Sequence, residues 1–147
     1  MCLRLAIERP DDLLSKGEHL GFEWNTMHNG MGYRCGYVRI PLGHPWHGQE
    51  YDLDVECHGG ITFAEADKPC SNPGPDDAWW VGFDCAHGGD APDPELRVTE
   101  SDSILMIGNM LEGLFGVSRT YCPEVRSQEY VEAECRRLCE QAAEASK

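Results

Sequence analysis

The chain has 147 residues, 41% of them hydrophobic and 26% charged, which suits one soluble globular domain over 1–147 with a substantial core. Twelve Lys plus Arg against 26 Asp plus Glu leave a net charge of −14. That excludes a basic stripe for duplex nucleic acid or an anionic membrane surface, and no apolar run reaches the 18 or so residues of a transmembrane helix.

In chain order, residues 1–9 read as a short edge strand. Their apolar stretch is too short for a signal peptide, so the expected setting is cytoplasmic. Pro10-Asp11-Asp12 places proline and acids where a helix begins, and a short helix is predicted to about Leu20. A brief strand at 21–24 leads to the Asn-Gly turn of 27–32, and a strand over 33–40 ends at Pro41. Residues 42–48, LGHPWHG, form a loop carrying His44, Trp46 and His47, where Pro45 rules out a helical metal pair. Residues 51–58 alternate, with Leu53, Val55 and Cys57 on one face and Asp52, Asp54 and Glu56 on the other, which predicts a half-buried strand ending in His58-Gly59-Gly60.

A short strand is predicted over 61–64 and a Pro- and Gly-rich loop over 65–77. Residues 78–83, AWWVGF, predict a strand buried on both faces. It runs into Asp84, His87, Gly88, Gly89 and Asp90, and a polar loop continues to Glu95. A helix over 102–115 is interrupted by Gly108 and Gly113. The strongest helix is 127–145, with Ser127 as N-cap and Val131, Cys135, Leu138 and Ala142 as its buried stripe. The fold class is α+β, a mixed or antiparallel sheet of about four to six strands with a long C-terminal helix packed on it.

Two strand-to-HGG junctions in one small domain are the main functional signal. They predict that 51–58 and 78–85 are sheet neighbours and that His58 and His87 open toward a common cleft. The candidate ligand-binding set is His44, Trp46, His47, His58, Gly59, Gly60, Asp84, His87, Gly88 and Asp90. Such residues suit a small polar molecule with a ring: aromatic groups stack, glycine N–H groups and histidines meet phosphate or ribose, and carboxylates take donors. Arg34, Arg39 and Arg119 are further anion-binding candidates. The same types also suit a divalent metal activating water, or plain turn chemistry. Asp84-x-x-His87-x-x-Asp90 is not an established ligand spacing, and none of the eight cysteines forms a C-x-x-C pair. The expectation is therefore no metal, no cofactor and reduced thiols. No nucleophile, phosphate-loop or hydrolase motif is present.

The segments CGYVRIPLGHPWHG (35–48), DVECHGGITF (54–63), WWVGFDCAHGGD (79–90) and YVEAECRRLCEQ (130–141) resemble a family of small phage and bacterial proteins without an assigned activity. Some small phage proteins with compact pockets sequester nucleotide-derived signals of host immunity. The resemblance implies, by that analogy, a phage-type sponge in the host cytoplasm. A hydrolase of such a molecule and a ligand-free interaction module are the alternatives. A homo-oligomer is compatible with all three.

Overall fold

Leu13–His19 (β1), Phe22–His28 (β2) and Arg34–Ile40 (β3) form an antiparallel meander in a computed structural model that describes residues 13–66, 78–96 and 123–147. Phe63–Ala66 (β4) and Trp79–Asp84 (β5) complete a five-stranded antiparallel sheet in the order β1-β2-β3-β5-β4. Asp90–Ala91 (β6) and Glu124–Val125 (β7) pair as a small parallel ribbon. Gln128–Ala145 (α1) crosses one face of the sheet. The fold is a single α+β domain, as expected. Among the described residues no helix is long and apolar enough to cross a membrane.

The helix forms where its period and cap place it. Ser127 Oγ accepts the Tyr130 N–H at 3.1 Å, and Val131, Cys135, Leu138 and Ala142 are fully buried. They pack on Phe22, Trp24, Val38, Ile40, Val81 and Phe83. Gly36 lets the helix come close, because a Cβ there would lie 2.6 Å from Cys135 Sγ. β5 is buried on both faces, Val81 and Phe83 under the helix and Trp80 in a second cluster with Met27, Cys35 and Tyr37.

Two expectations fail. Residues 13–19 are a strand, not part of a helix. Gly17 is a poor helix former, and in β1 its bare Cα lies under the Trp24 ring, where a Cβ would come within 2.6 Å of a ring carbon. Leu20 (φ 52°) and Gly21 (φ 86°) make the tight turn to β2. Residues 51–58 are not a strand beside β5, whose two edges are taken by β3 and β4. Their alternation is nonetheless real. Leu53, Val55 and Cys57 pack against the core while Asp52, Asp54 and Glu56 face outward. Their ladder partner is a side chain: the Glu56 N–H donates to Gln141 Oε1 at 2.8 Å, and Gln141 Nε2 donates to the Glu56 carbonyl at 2.7 Å. The strand predicted over 61–64 begins later, as β4. That strand takes Glu65 and Ala66 from the loop predicted over 65–77; the rest of that loop and the predictions for 1–9 and 102–115 lie outside the described residues.

Burial pushes the Cys35, Cys85 and Cys139 thiols up to about 12 and Cys57 to about 11, and raises Cys135 as well. With a value near 12, roughly one thiol in ten thousand is thiolate at pH 8. Iodoacetamide at that pH should therefore leave Cys35, Cys85, Cys135 and Cys139 unmodified in the native protein and label all four in denaturant. Peptide mapping checks this, and rapid native labelling of Cys135 or Cys139 would contradict the packing.

Candidate functional site

The two HGG junctions meet, by different turns. At the first, the Gly60 N–H donates to the Cys57 carbonyl at 3.0 Å, closing a turn with Gly59 at φ 70°. At the second, the Asp90 N–H donates to the His87 carbonyl at 2.9 Å, closing a turn through Gly88 and Gly89. The His58 and His87 ring centroids are 5.7 Å apart. A Cβ on Gly59 would sit 2.1 Å from His87 Cε1, so only glycine lets the second imidazole lie against the first turn.

Asp90 is the hub. Its side chain is 1% exposed and accepts three donors: Arg126 Nε to Oδ1 at 2.7 Å, His58 Nε2 to Oδ2 at 2.8 Å, and the His87 backbone N–H to Oδ2 at 3.0 Å. Burial alone would raise this carboxyl, but the hydrogen bonds from Arg126, His58 and His87 outweigh it and hold it at about 2. A depressed folded value means that the contribution to stability is whole above the ordinary carboxylate range and is lost as pH falls through about 2.

His58 Nδ1 lies 2.9 Å from the Tyr130 hydroxyl, which lies 3.3 Å from Glu134 Oε1. Burial, with the Glu134 charge, raises the Tyr130 phenol. Arg126 stacks over the Tyr130 ring at 5.4 Å and also pairs with Glu124 at 3.1 Å. Among the described residues its Nη2 makes no hydrogen bond. His87 is 37% exposed, yet its Nδ1 is buried without a hydrogen-bond partner, 3.5 Å from Asp90 Oδ2 and 3.7 Å from Asp84 Oδ1. A Cβ added at Gly60 or Gly88 would meet nothing within 4 Å, so there is open space beside both.

Behind this cluster, Arg34 braces it from β3. Arg34 pairs with Asp93 at 2.8 Å, donates from Nη1 to the Arg126 carbonyl at 2.9 Å and from Nε to Gln128 Oε1 at 3.1 Å. Arg34 thus positions the chain that carries Arg126. Arg39 faces Glu23 at 3.7 Å, and Arg119 lies outside the described residues.

The structure therefore gathers His58, Gly59, Gly60, His87, Gly88 and Asp90. Asp84 sits at the rim, its Oδ1 accepting the Ala86 N–H at 3.0 Å in a side-chain turn. His44, Trp46 and His47 belong elsewhere. His44 Nε2 donates to the Ala142 carbonyl at 2.8 Å and its Nδ1 accepts the Trp46 N–H at 3.0 Å, so both ring nitrogens are occupied by backbone. Trp46 is buried in the core, and the His47 ring lies 6.0 Å from that of Trp79. Ala142 and Tyr130 are twelve residues apart on α1, about 18 Å along its axis, so this loop and the cleft stand at opposite ends of the helix. Arg126, Tyr130 and Glu134 are site members that sequence reasoning missed. The available signal was the N-cap itself, since residues flanking Ser127 had to meet whatever the sheet presents at that end.

No protein-family model, curated protein or solved structure matches the chain.

Proposed function

We propose that this protein binds a small anionic molecule of nucleotide type in the His58–His87 cleft and sequesters it rather than transforming it. The observation that carries this reading is the convergence of His58, His87 and Arg126 beside open space, in a chain whose net charge is −14. Asp90 fixes the geometry by holding Arg126 and His58, and Arg126 Nη2 and the half-exposed His87 ring remain for phosphate or ribose oxygens. The setting that fits is the cytoplasm, and the phage-type sponge suggested by the sequence resemblance is its most specific form. Duplex nucleic acid and membrane are not partners in this reading.

Titration calorimetry with cyclic dinucleotides and ADP-ribose derivatives tests it. His87→Ala should remain folded and bind about ten- to a hundredfold more weakly, the loss of a charge-assisted hydrogen bond. A wild type that binds nothing in the panel, with a His87→Ala protein that melts much lower, would leave only a structural role. A second reading, metal-assisted hydrolysis, is favoured by His58, His87 and Asp90, whose ligand atoms all lie within 4.8 Å of one another. The two separate on whether the ligand is recovered intact after the protein is denatured.

A further inference from the structure

We propose that His58 Nε2, His87 Nδ1 and Asp90 Oδ2 form a three-donor site for a divalent first-row transition ion of the zinc class. The sequence spacing carries no such expectation, because the donors come from two junctions some thirty residues apart that only the fold brings together. The inference uses the cleft described above and rests on that reading for its purpose, since the open coordination positions of the ion would face the ligand's oxygens. The ion itself can be tested without any ligand.

The donor set is two imidazoles and one carboxylate on one side of a cleft, the composition that leaves positions open on a transition ion and selects against calcium and magnesium. The spacing fits. Around an ion with bonds of about 2.0–2.1 Å, neighbouring tetrahedral donors stand roughly 3.3 Å apart. The separations here are 2.8 Å from His58 Nε2 to Asp90 Oδ2 and 3.5 Å from His87 Nδ1 to the same oxygen, and one ligand atom from each of the three residues lies within 4.8 Å of the others. His87 Nδ1 supplies the independent sign. It is buried, aimed at Asp90 and Asp84, and has no hydrogen-bond partner. A buried ring nitrogen without a partner is costly unless a donor, an acceptor or an ion meets it.

The surrounding groups suit a loaded site. Arg126 occupies Asp90 Oδ1 and leaves Oδ2 for the ion. When His58 Nε2 gives up its hydrogen bond to Asp90 and turns its lone pair to the ion, the ring proton resides on Nδ1. Nδ1–H then donates to the Tyr130 hydroxyl at 2.9 Å, and that hydroxyl donates to Glu134 at 3.3 Å. Such a relay orients a ligating histidine and strengthens it as a donor. Gly59 completes the arrangement by letting the His87 ring lie against the turn that carries His58.

The test is cobalt(II) titration of chelator-treated protein, followed by displacement with zinc(II). The expected result is a visible absorption band saturating at one ion per chain, without the near-ultraviolet charge-transfer band that cysteine ligation gives. Zinc should abolish it. Affinity should fall more than about tenfold in His58→Gln and in His87→Ala, and about tenfold in Tyr130→Phe, which keeps the ring and removes only the relay. Because His58 also holds Tyr130 and Asp90, the wild type provides a variant-free check: substoichiometric manganese(II) should broaden the His58 and His87 ring resonances ahead of those of His44. No band with cobalt in excess, a thiolate band, or a band unchanged in both histidine variants overturns the proposal. A protein that takes the ion but no nucleotide leaves the metal site standing and removes the ligand reading. One that takes nucleotide in chelator and no ion does the reverse.

Discussion

Asp90→Ala should lower the unfolding free energy by about 2–4 kcal/mol, the cost of removing a buried carboxylate that satisfies three donors. The carboxylate is 1% exposed and holds Arg126, His58 and the His87 backbone N–H at 2.7, 2.8 and 3.0 Å. Alanine leaves His58 Nε2 and the His87 N–H without their acceptor and takes Arg126 Nε off its nearest carboxylate, although Arg126 keeps Glu124. The loss also reaches the backbone, because Asp90 is half of the two-residue ribbon with Glu124 that ties the second HGG turn to the chain leading into α1. For a chain of this size a loss of that order lowers the melting temperature by roughly 10 °C or more. Asp90→Asn separates charge from shape. It retains an acceptor oxygen for one donor and should fall between wild type and alanine. Urea unfolding followed by far-ultraviolet circular dichroism measures both, and an alanine variant within 0.5 kcal/mol of wild type would show that Asp90 is not the hub.

The polar hub was only half visible in the sequence, for a physical reason. His58, His87 and Asp90 stand out because glycine pairs and abrupt polarity changes are local signals. Arg126 and Tyr130 carry no such mark of their own, and only their place beside the Ser127 N-cap hints that they meet the sheet there. The helix itself was legible from its 3.6-residue period and its serine cap, and β5 from its unbroken apolar run. β1 was not, because its turn uses Leu20 at positive φ in place of the usual Asn-Gly, and the proline and acids before it read in the sequence as a helix opening. Residues 51–58 show what periodicity can convey. Alternation correctly separated the core-facing Leu53, Val55 and Cys57 from the outward acids, but it cannot tell whether the backbone pairs with a strand or, as at Glu56, with the amide of Gln141.

Gly59→Ala should disable the cleft, while Gly60→Ala one residue on should spare it. Both glycines have positive φ, 70° and 82°, so both substitutions carry a similar backbone strain of about 1–2 kcal/mol. Their surroundings differ. The Cβ at position 59 would lie 2.1 Å from His87 Cε1 and 2.5 Å from Nε2, and the Cβ at position 60 would meet nothing within 4 Å. The strain is thus common to the pair and the collision is not. The space beside Gly88 is open, and a His87 ring displaced from its seat against Gly59 takes Nδ1 away from Asp90. Melting temperatures should therefore fall in both variants, further in Gly59→Ala. Ring resonances of His87 should shift in Gly59→Ala and stay near their wild-type positions in Gly60→Ala. Binding of the cleft's ligand or ion should weaken by at least about tenfold in the first and by less than about twofold in the second, as expected when a group must be held within about 0.5 Å of its productive place. Equal losses in the two variants would mean that turn strain, not the seat of the His87 imidazole, governs the site.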